Sequence, residues 1–204
     1  MTGIAAVPGS GYPTTARIIG TASSAGGLNA VSHILSCLPS SFPAAILVVQ
    51  HTLPTSRSHL VEILARRTRM VVRQAVSGEH IELGVVYVAP PNSHLTVDRE
   101  GAIQLSQQPP VHYVRPSADM LFESLATNFR SRAIAVVLTG MGQDGTDGAQ
   151  AIKLCGGTVL VQDQSSSEFF GMPGAAIKAG LVEHVLPLAQ IAGALELLAG
   201  EAFA

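Results

Sequence analysis

Ile18-Ile19-Gly20-Thr21-Ala22-Ser23-Ser24-Ala25-Gly26-Gly27 is the stretch on which the fold turns. A short apolar run ends in small residues, and an apolar, helix-compatible segment follows from Leu28 to Leu38. The pattern predicts a strand, a tight turn and a helix. Small residues let the backbone bend sharply and let another molecule approach closely. A serine at such a turn projects its hydroxyl beside a helix N-terminus, whose free N–H groups favour negative charge. Nucleophilic serines and bound phosphates both use this arrangement.

Working outward, Ala45-Ile46-Leu47-Val48-Val49 and Ile134-Ala135-Val136-Val137-Leu138 are continuous apolar runs. Strands apolar on both faces suit the centre of a parallel sheet. The first ends in Gln50-His51, the second in Thr139-Gly140-Met141-Gly142-Gln143-Asp144-Gly145-Thr146-Asp147-Gly148. Helices are expected over 57–67, with Leu60, Ile63 and Leu64 on one face, and over 116–128, 148–154, 171–179 and 188–198. Further strands are expected at 70–72, 158–162 and 183–186. The runs 85–90, 94–97 and 102–105 read as an antiparallel meander. Strands and helices alternate, which predicts an α/β fold: a three-layer, doubly wound, mainly parallel sheet with a small antiparallel meander or hairpin. Residues 1–16, with three glycines and two prolines, read as a flexible extension, and the folded domain is expected over 17–204.

Composition narrows the function. With 204 residues, 47% apolar and 13% charged, one domain with a sizeable core is expected. A net charge of −2 without a basic block argues against nucleic acid. No apolar run is long enough to span a membrane. The first positive charge is Arg17, so no signal peptide is expected, and the location expected is the cytoplasm. Cys37 and Cys155 form no C-x-x-C pair and read as two buried thiols in a reducing compartment.

In open parallel sheets, sites lie beyond the carboxyl ends of the strands. Three such ends here supply Ser23/Ser24, His51 and Asp144. A serine hydroxyl becomes a nucleophile when an imidazole takes its proton, and a carboxylate fixes the imidazole tautomer. Aspartates in turns also satisfy loop amides, and that reading stays open for Asp144 and Asp147. The Asp-Gly-Thr-Asp-Gly run lacks the ligand spacing of a calcium loop, and no HExxH accompanies His51 and His59. His33, His59, His80 and His184 read as surface or packing residues. A phosphate site is disfavoured because neither Gly-Lys-Ser/Thr nor GxGxxG is present.

The ordered set resembles the catalytic domain of the CheB methylesterases. Its motifs appear here as Ala22-Ser23-Ser24-Ala25-Gly26-Gly27, Gln50-His51, Val88-Ala89-Pro90-Pro91, Arg115-Pro116-Ser117-Ala118-Asp119, Thr139-Gly140-Met141-Gly142-Gln143-Asp144-Gly145 and Phe170-Gly171-Met172-Pro173. Aligning on Gly26-Gly27 makes Ser24 the nucleophile, His51 the general base and Asp144 the residue that orients it. The resemblance also implies that the N–H groups of Ala25 and Met141 lie near the oxyanion. It implies a cytoplasmic serine esterase of chemotaxis-type receptor adaptation, with no cofactor and no metal. Its substrates would be glutamyl γ-methyl esters on the cytoplasmic helices of methylated chemoreceptors, with glutamine deamidation as a companion activity. The family's receiver domain has no counterpart here. The expectation is a stand-alone esterase or an excised domain, with a separate or truncated response-regulator receiver domain as a partner. Ala22 and Ser23 depart from the family's Gly-Ala and put a Cβ and a second hydroxyl beside the nucleophile. The runner-up function is a catalytically silent docking module, and a third is an esterase or amidase on another ester.

Overall fold

The computed structural model describes residues 12–51, 59–180 and 182–200. Seven strands form one parallel sheet: β1 (Ile18–Ser23), β2 (Ala45–Gln50), β3 (Val71–Gln74), β4 (Val85–Val88), β7 (Ala133–Val137), β8 (Thr158–Gln162) and β9 (His184–Leu186). Their order is β3-β4-β2-β1-β7-β8-β9. The remaining two, β5 (His94–Val97) and β6 (Ile103–Ser106), pair antiparallel as a separate hairpin.

Helices cover both faces, as expected. On one side lie α1 (Gly27–Cys37), α2 (Leu60–Ala65) and α6 (Leu188–Gly200), packed over Ile19, Ile46, Val48 and Ile134. On the other lie α3 (Ala118–Phe129), α4 (Thr146–Leu154) and α5 (Gly171–Lys178), packed over Ile18, Ala22, Leu47 and Ala135. Alternate residues of one strand therefore feed two cores, which is why β1, β2 and β7 read as unbroken apolar runs. Phe122 of α3 is fully buried. A Cβ at Gly20 or Gly148 would come within 2.9 and 2.6 Å of its side chain, so these glycines let α3 seat between β1 and α4. Truncating Phe122 to alanine would cost about 3–5 kcal/mol.

Four expectations need correction. Val85–Val88 is not part of a meander: it pairs parallel to both β2 and β3. All four of its residues are buried, so it is a central strand. The helix expected from Arg57 to Arg67 is observed only over Leu60–Ala65; positions 57 and 58 lie outside the described residues. Leu60 and Leu64 are buried as expected. The packed chain begins before Arg17. Tyr12 is buried, donates its hydroxyl to Arg17 O, accepts from Ala45 N and meets Phe129 edge-on. The rest of the expected extension, residues 1–11, lies outside the described residues. Finally, the cysteines are not buried: Cys37 is exposed and Cys155 half-buried, both as free thiols. Cys37 is the last residue of α1 and is not among that helix's buried residues. Among the described residues no helix is long and apolar enough to cross a membrane.

Candidate active site

The three loops singled out by sequence leave adjacent strands β2, β1 and β7 at their carboxyl ends. The ladder runs Ser23 opposite Gln50 and Ala22 opposite Val137. It continues past the strands, where His51 N donates to Ser23 O and Ser24 N donates to Thr139 O. β1 leads into α1 on one face of the sheet, and β7 leads into α4 on the other. Strand-order reversal of this kind opens a crevice at the sheet edge. Both helices start from a glycine in left-handed conformation, Gly26 at φ 77° and Gly145 at φ 93°. A side chain at either position would be strained.

The two serines have different fates. Ser23 is fully buried, and its hydroxyl donates to Gln50 Oε1 at 2.8 Å. Ser24 is half-buried, and among the described residues its hydroxyl makes no hydrogen bond. Gln50 Nε2 donates to the carbonyls of both Ser24 (2.8 Å) and His51 (3.1 Å), tying these neighbours together. Ala22 lies inside β1, not in the turn, and its Cβ faces the core beside Gly145.

His51 Nε2 stands 2.7 Å from Asp144 Oδ2. Asp144 is buried and accepts from three further donors: Ser117 Oγ at 2.6 Å, Ala118 N at 2.6 Å and Asp119 N at 3.4 Å. Burial opposes its ionisation, but donation from His51, Ser117 and Ala118 outweighs burial and holds the carboxyl below its usual range. An ionised Asp144 requires the proton on His51 Nε2, which leaves Nδ1 as the basic nitrogen.

The glycine-rich loop after β7 is anchored by Thr139, whose hydroxyl donates to Ala25 O and accepts from Phe169 N. Gly140 N donates to Phe169 O, and Met172 N donates to Gly140 O. Among the described residues the N–H groups of Ala25 and Met141 have no acceptor. Met141 is largely exposed. An open cleft of about 470 Å³ is lined by His51, His112, Tyr113, Met141 and Asp144, among others. The structure thus brings His51 and Asp144 into contact and sets Met141 on the same cleft. Ser24 is not part of that lining, and it forms no hydrogen bond with His51.

The family model described as CheB methylesterase matches residues 19–195. The chain belongs to the CheB methylesterase family. It is 45% identical over 174 residues to protein-glutamate methylesterase/protein-glutamine glutaminase 2 of Caulobacter vibrioides, covering 83% of this chain and 50% of that one. A like-named protein of Symbiobacterium thermophilum is 39% identical, over 91% and 51% of the two chains. The chain spans about half the length of the curated relatives it matches. The crystal structure of the Thermotoga maritima CheB methylesterase catalytic domain aligns with TM-score 0.87 and 37% identity, over 90% of this chain and 99% of that one.

Around this CheB-type core, sequence reasoning missed several residues. Ser117 and Ala118, read in sequence as a helix start and as part of a family motif with no assigned role, hold Asp144. His94, fully buried, accepts from Ser117 N at its Nδ1 and donates from Nε2 to Pro109 O. Asp119, also buried, accepts from Gly148 N across the α3–α4 contact. Burial, opposed by that donor and reinforced by the neighbouring Asp144 charge, pushes its carboxyl up to about 6. The available signal is the Arg-Pro-Ser-Ala-Asp run itself, whose polar residues exceed what a helix cap requires.

Proposed function

We propose that the chain is the catalytic unit of a protein-glutamate methylesterase, with Ser24 as nucleophile, His51 as general base and Asp144 as its orienting carboxylate. The observation that carries this reading is the 2.7 Å contact between His51 Nε2 and Asp144 Oδ2, which directs the free Nδ1 to serve as the base. Ser24, not Ser23, has the uncommitted hydroxyl. In ligand-free sites the nucleophile–base hydrogen bond is often long and tightens with substrate bound.

In the proposed reaction Ser24 Oγ attacks the γ-ester carbonyl while His51 Nδ1 takes its proton. The N–H groups of Ala25 and Met141 and the N-terminus of α1 receive the developing oxyanion. His51 then protonates the departing methoxide, giving methanol. Water, deprotonated by His51, attacks the acyl-enzyme and releases glutamate. A γ-carboxamide would follow the same course and release ammonia. The relatives' names support both reactions. The substrates are methylated helices of cytoplasmic chemoreceptor domains, so the enzyme acts in the cytoplasm, and a response-regulator receiver domain is its regulatory partner.

The test is methanol release from methylated receptor by the wild type, Ser24→Ala and Ser23→Ala. Ser24→Ala should lose about 10⁴-fold or more in rate. Ser23→Ala should stay within about tenfold, since it removes a packing hydrogen bond. A dead Ser23→Ala beside an active Ser24→Ala overturns the assignment. A wild type without turnover favours a silent docking module.

A further inference from the structure

Outside the proposed triad, the α3–α4 contact carries a second cluster of ionisable groups. Asp119 lies in the first turn of α3 and Asp147 in the first turn of α4. His112 reaches them from a tight turn in which Val111 and Val114 exchange both backbone hydrogen bonds. His112 Nε2 stands 3.4 Å from Asp119 Oδ2 and 3.6 Å from Asp147 Oδ2, and the three atoms lie within 4.8 Å of one another.

Two features of this cluster call for a cation. First, Asp119 Oδ2 is buried and has no hydrogen-bond partner; its side chain is 4% exposed. Gly148 N donates to the other oxygen, Oδ1, and leaves Oδ2 aimed at the cluster. A buried carboxylate oxygen without a hydrogen bond is costly. Second, His112 does not meet this need as a donor. Shared between two carboxylates at 3.4 and 3.6 Å, a single Nε2–H makes only long contacts, and its approach to Asp119 lacks hydrogen-bond geometry.

We propose that His112, Asp119 and Asp147 bind one divalent transition-metal cation of the zinc class at the rim of the cleft. Tetrahedral bonds of about 2.0–2.2 Å place ligand atoms about 3.4 Å apart, the spacing His112 keeps to both carboxylates. One neutral imidazole and two carboxylates sum to −2 and balance the ion. The set suits borderline cations such as Zn²⁺ or Co²⁺, not thiolate-seeking Cu⁺. Three protein ligands leave the fourth position to water or to a ligand in the cleft that His112 lines. The ligands come from three separate elements, so no sequence motif announces them. The inference stands apart from the esterase reading and survives its failure.

The test is metal binding by the full chain after chelation. Zn²⁺ is titrated against a chromophoric chelator, and Co²⁺ absorption reports the ligand field. One equivalent should bind, with four-coordinate Co²⁺ bands. His112→Gln and Asp147→Asn should each weaken binding on the order of 100-fold or more, since losing even an outer partner of a metal ligand costs about 10–100-fold. Asp119→Asn should do the same, but Asp119 also supports Gly148, so the other two variants decide, provided their circular dichroism is unchanged. Wild-type affinity retained by both, or less than one equivalent bound at millimolar Zn²⁺, overturns the site. In the first case other histidines hold the ion; in the second His112 is only an ion-pair partner.

Discussion

Ser117 gives its hydroxyl to Asp144 Oδ1 across 2.6 Å, although it sits at the N-cap of α3 and makes no side-chain cap there. The residue that could have stabilised a helix end instead holds the carboxylate behind His51. A hydrogen bond to a charged group is worth about 1.5–3 kcal/mol, or about 10–100-fold in rate if expressed in the transition state. Ser117→Ala should therefore lower the esterase kcat by about 10–100-fold with little change in KM, and lower the melting temperature by about 3–12 °C, since the same buried hydrogen bond also stabilises the fold. Steady-state kinetics and a thermal melt check this; an unchanged kcat would mean that Ala118 N and Asp119 N hold Asp144 sufficiently.

Asp144→Asn should reduce kcat by about 10⁴-fold, because an amide forces or permits the wrong imidazole tautomer. The same substitution tests a stability effect. Since the folded-state pKa of Asp144 lies below its unfolded value, its contribution is present above that unfolded value and lost as pH falls through the folded one. Urea unfolding should show the wild-type advantage over Asp144→Asn shrinking as pH is lowered from about 7 into the acid range.

Gly140→Ala should disable the site while sparing the fold. The added Cβ would meet Met172 Sδ at 2.3 Å, Ser24 Cβ at 2.9 Å and Ser24 N at 3.1 Å. The thioether can turn aside, but the Ser24 backbone is held by Thr139 O. A displacement of about 1 Å at a reacting group costs about 100-fold in rate, whereas local overpacking costs about 1–3 kcal/mol of stability. Parallel kcat and chemical-denaturation measurements separate the two.

Tyr12→Phe should cost about 1–3 kcal/mol, because Ala45 N loses its acceptor in a buried position. Burial raises the pKa of the phenol, so the folded state keeps the proton where the unfolded state gives it up. That contribution is complete below the unfolded value of about 10 and declines as pH rises beyond it. The stability gap between wild type and Tyr12→Phe should therefore narrow between neutral pH and pH of about 11, as followed by urea unfolding.

Legibility in the sequence follows periodicity and punctuation. β1, β2 and β7 can be read because both faces are buried, and their polar ends point to Ser23/Ser24, His51 and Asp144; the choice of Ser24 rests on the family resemblance. Val85–Val88 has the same character but looks like a partner of β5 and β6, because Pro90 and Pro91 follow closely and the intervening residues resemble hairpin turns. Tyr12 is hidden by its glycine- and proline-rich surroundings; its anchoring depends on Arg17, Ala45 and Phe129, which no local pattern reveals. The roles of His94, His112 and Asp119 are hidden for a related reason, although Asp119 stands in the legible Arg-Pro-Ser-Ala-Asp run. Each acts through partners on another element, so only the folded chain brings their chemistry together.

The candidate triad spans β2, β1 and β7, and β1 pairs with β7 from Ile18 opposite Ala133 to Ala22 opposite Val137. Those partners are separated by more than half the chain. During refolding, β1 and β2 can meet across the 24–44 connection that carries α1, whereas β7 must wait for a far longer loop to close, at greater entropic cost. Regain of esterase turnover should then lag the first return of helical circular dichroism and coincide with burial at β7. Turnover would serve as a clock for the most distant pairing in the sheet.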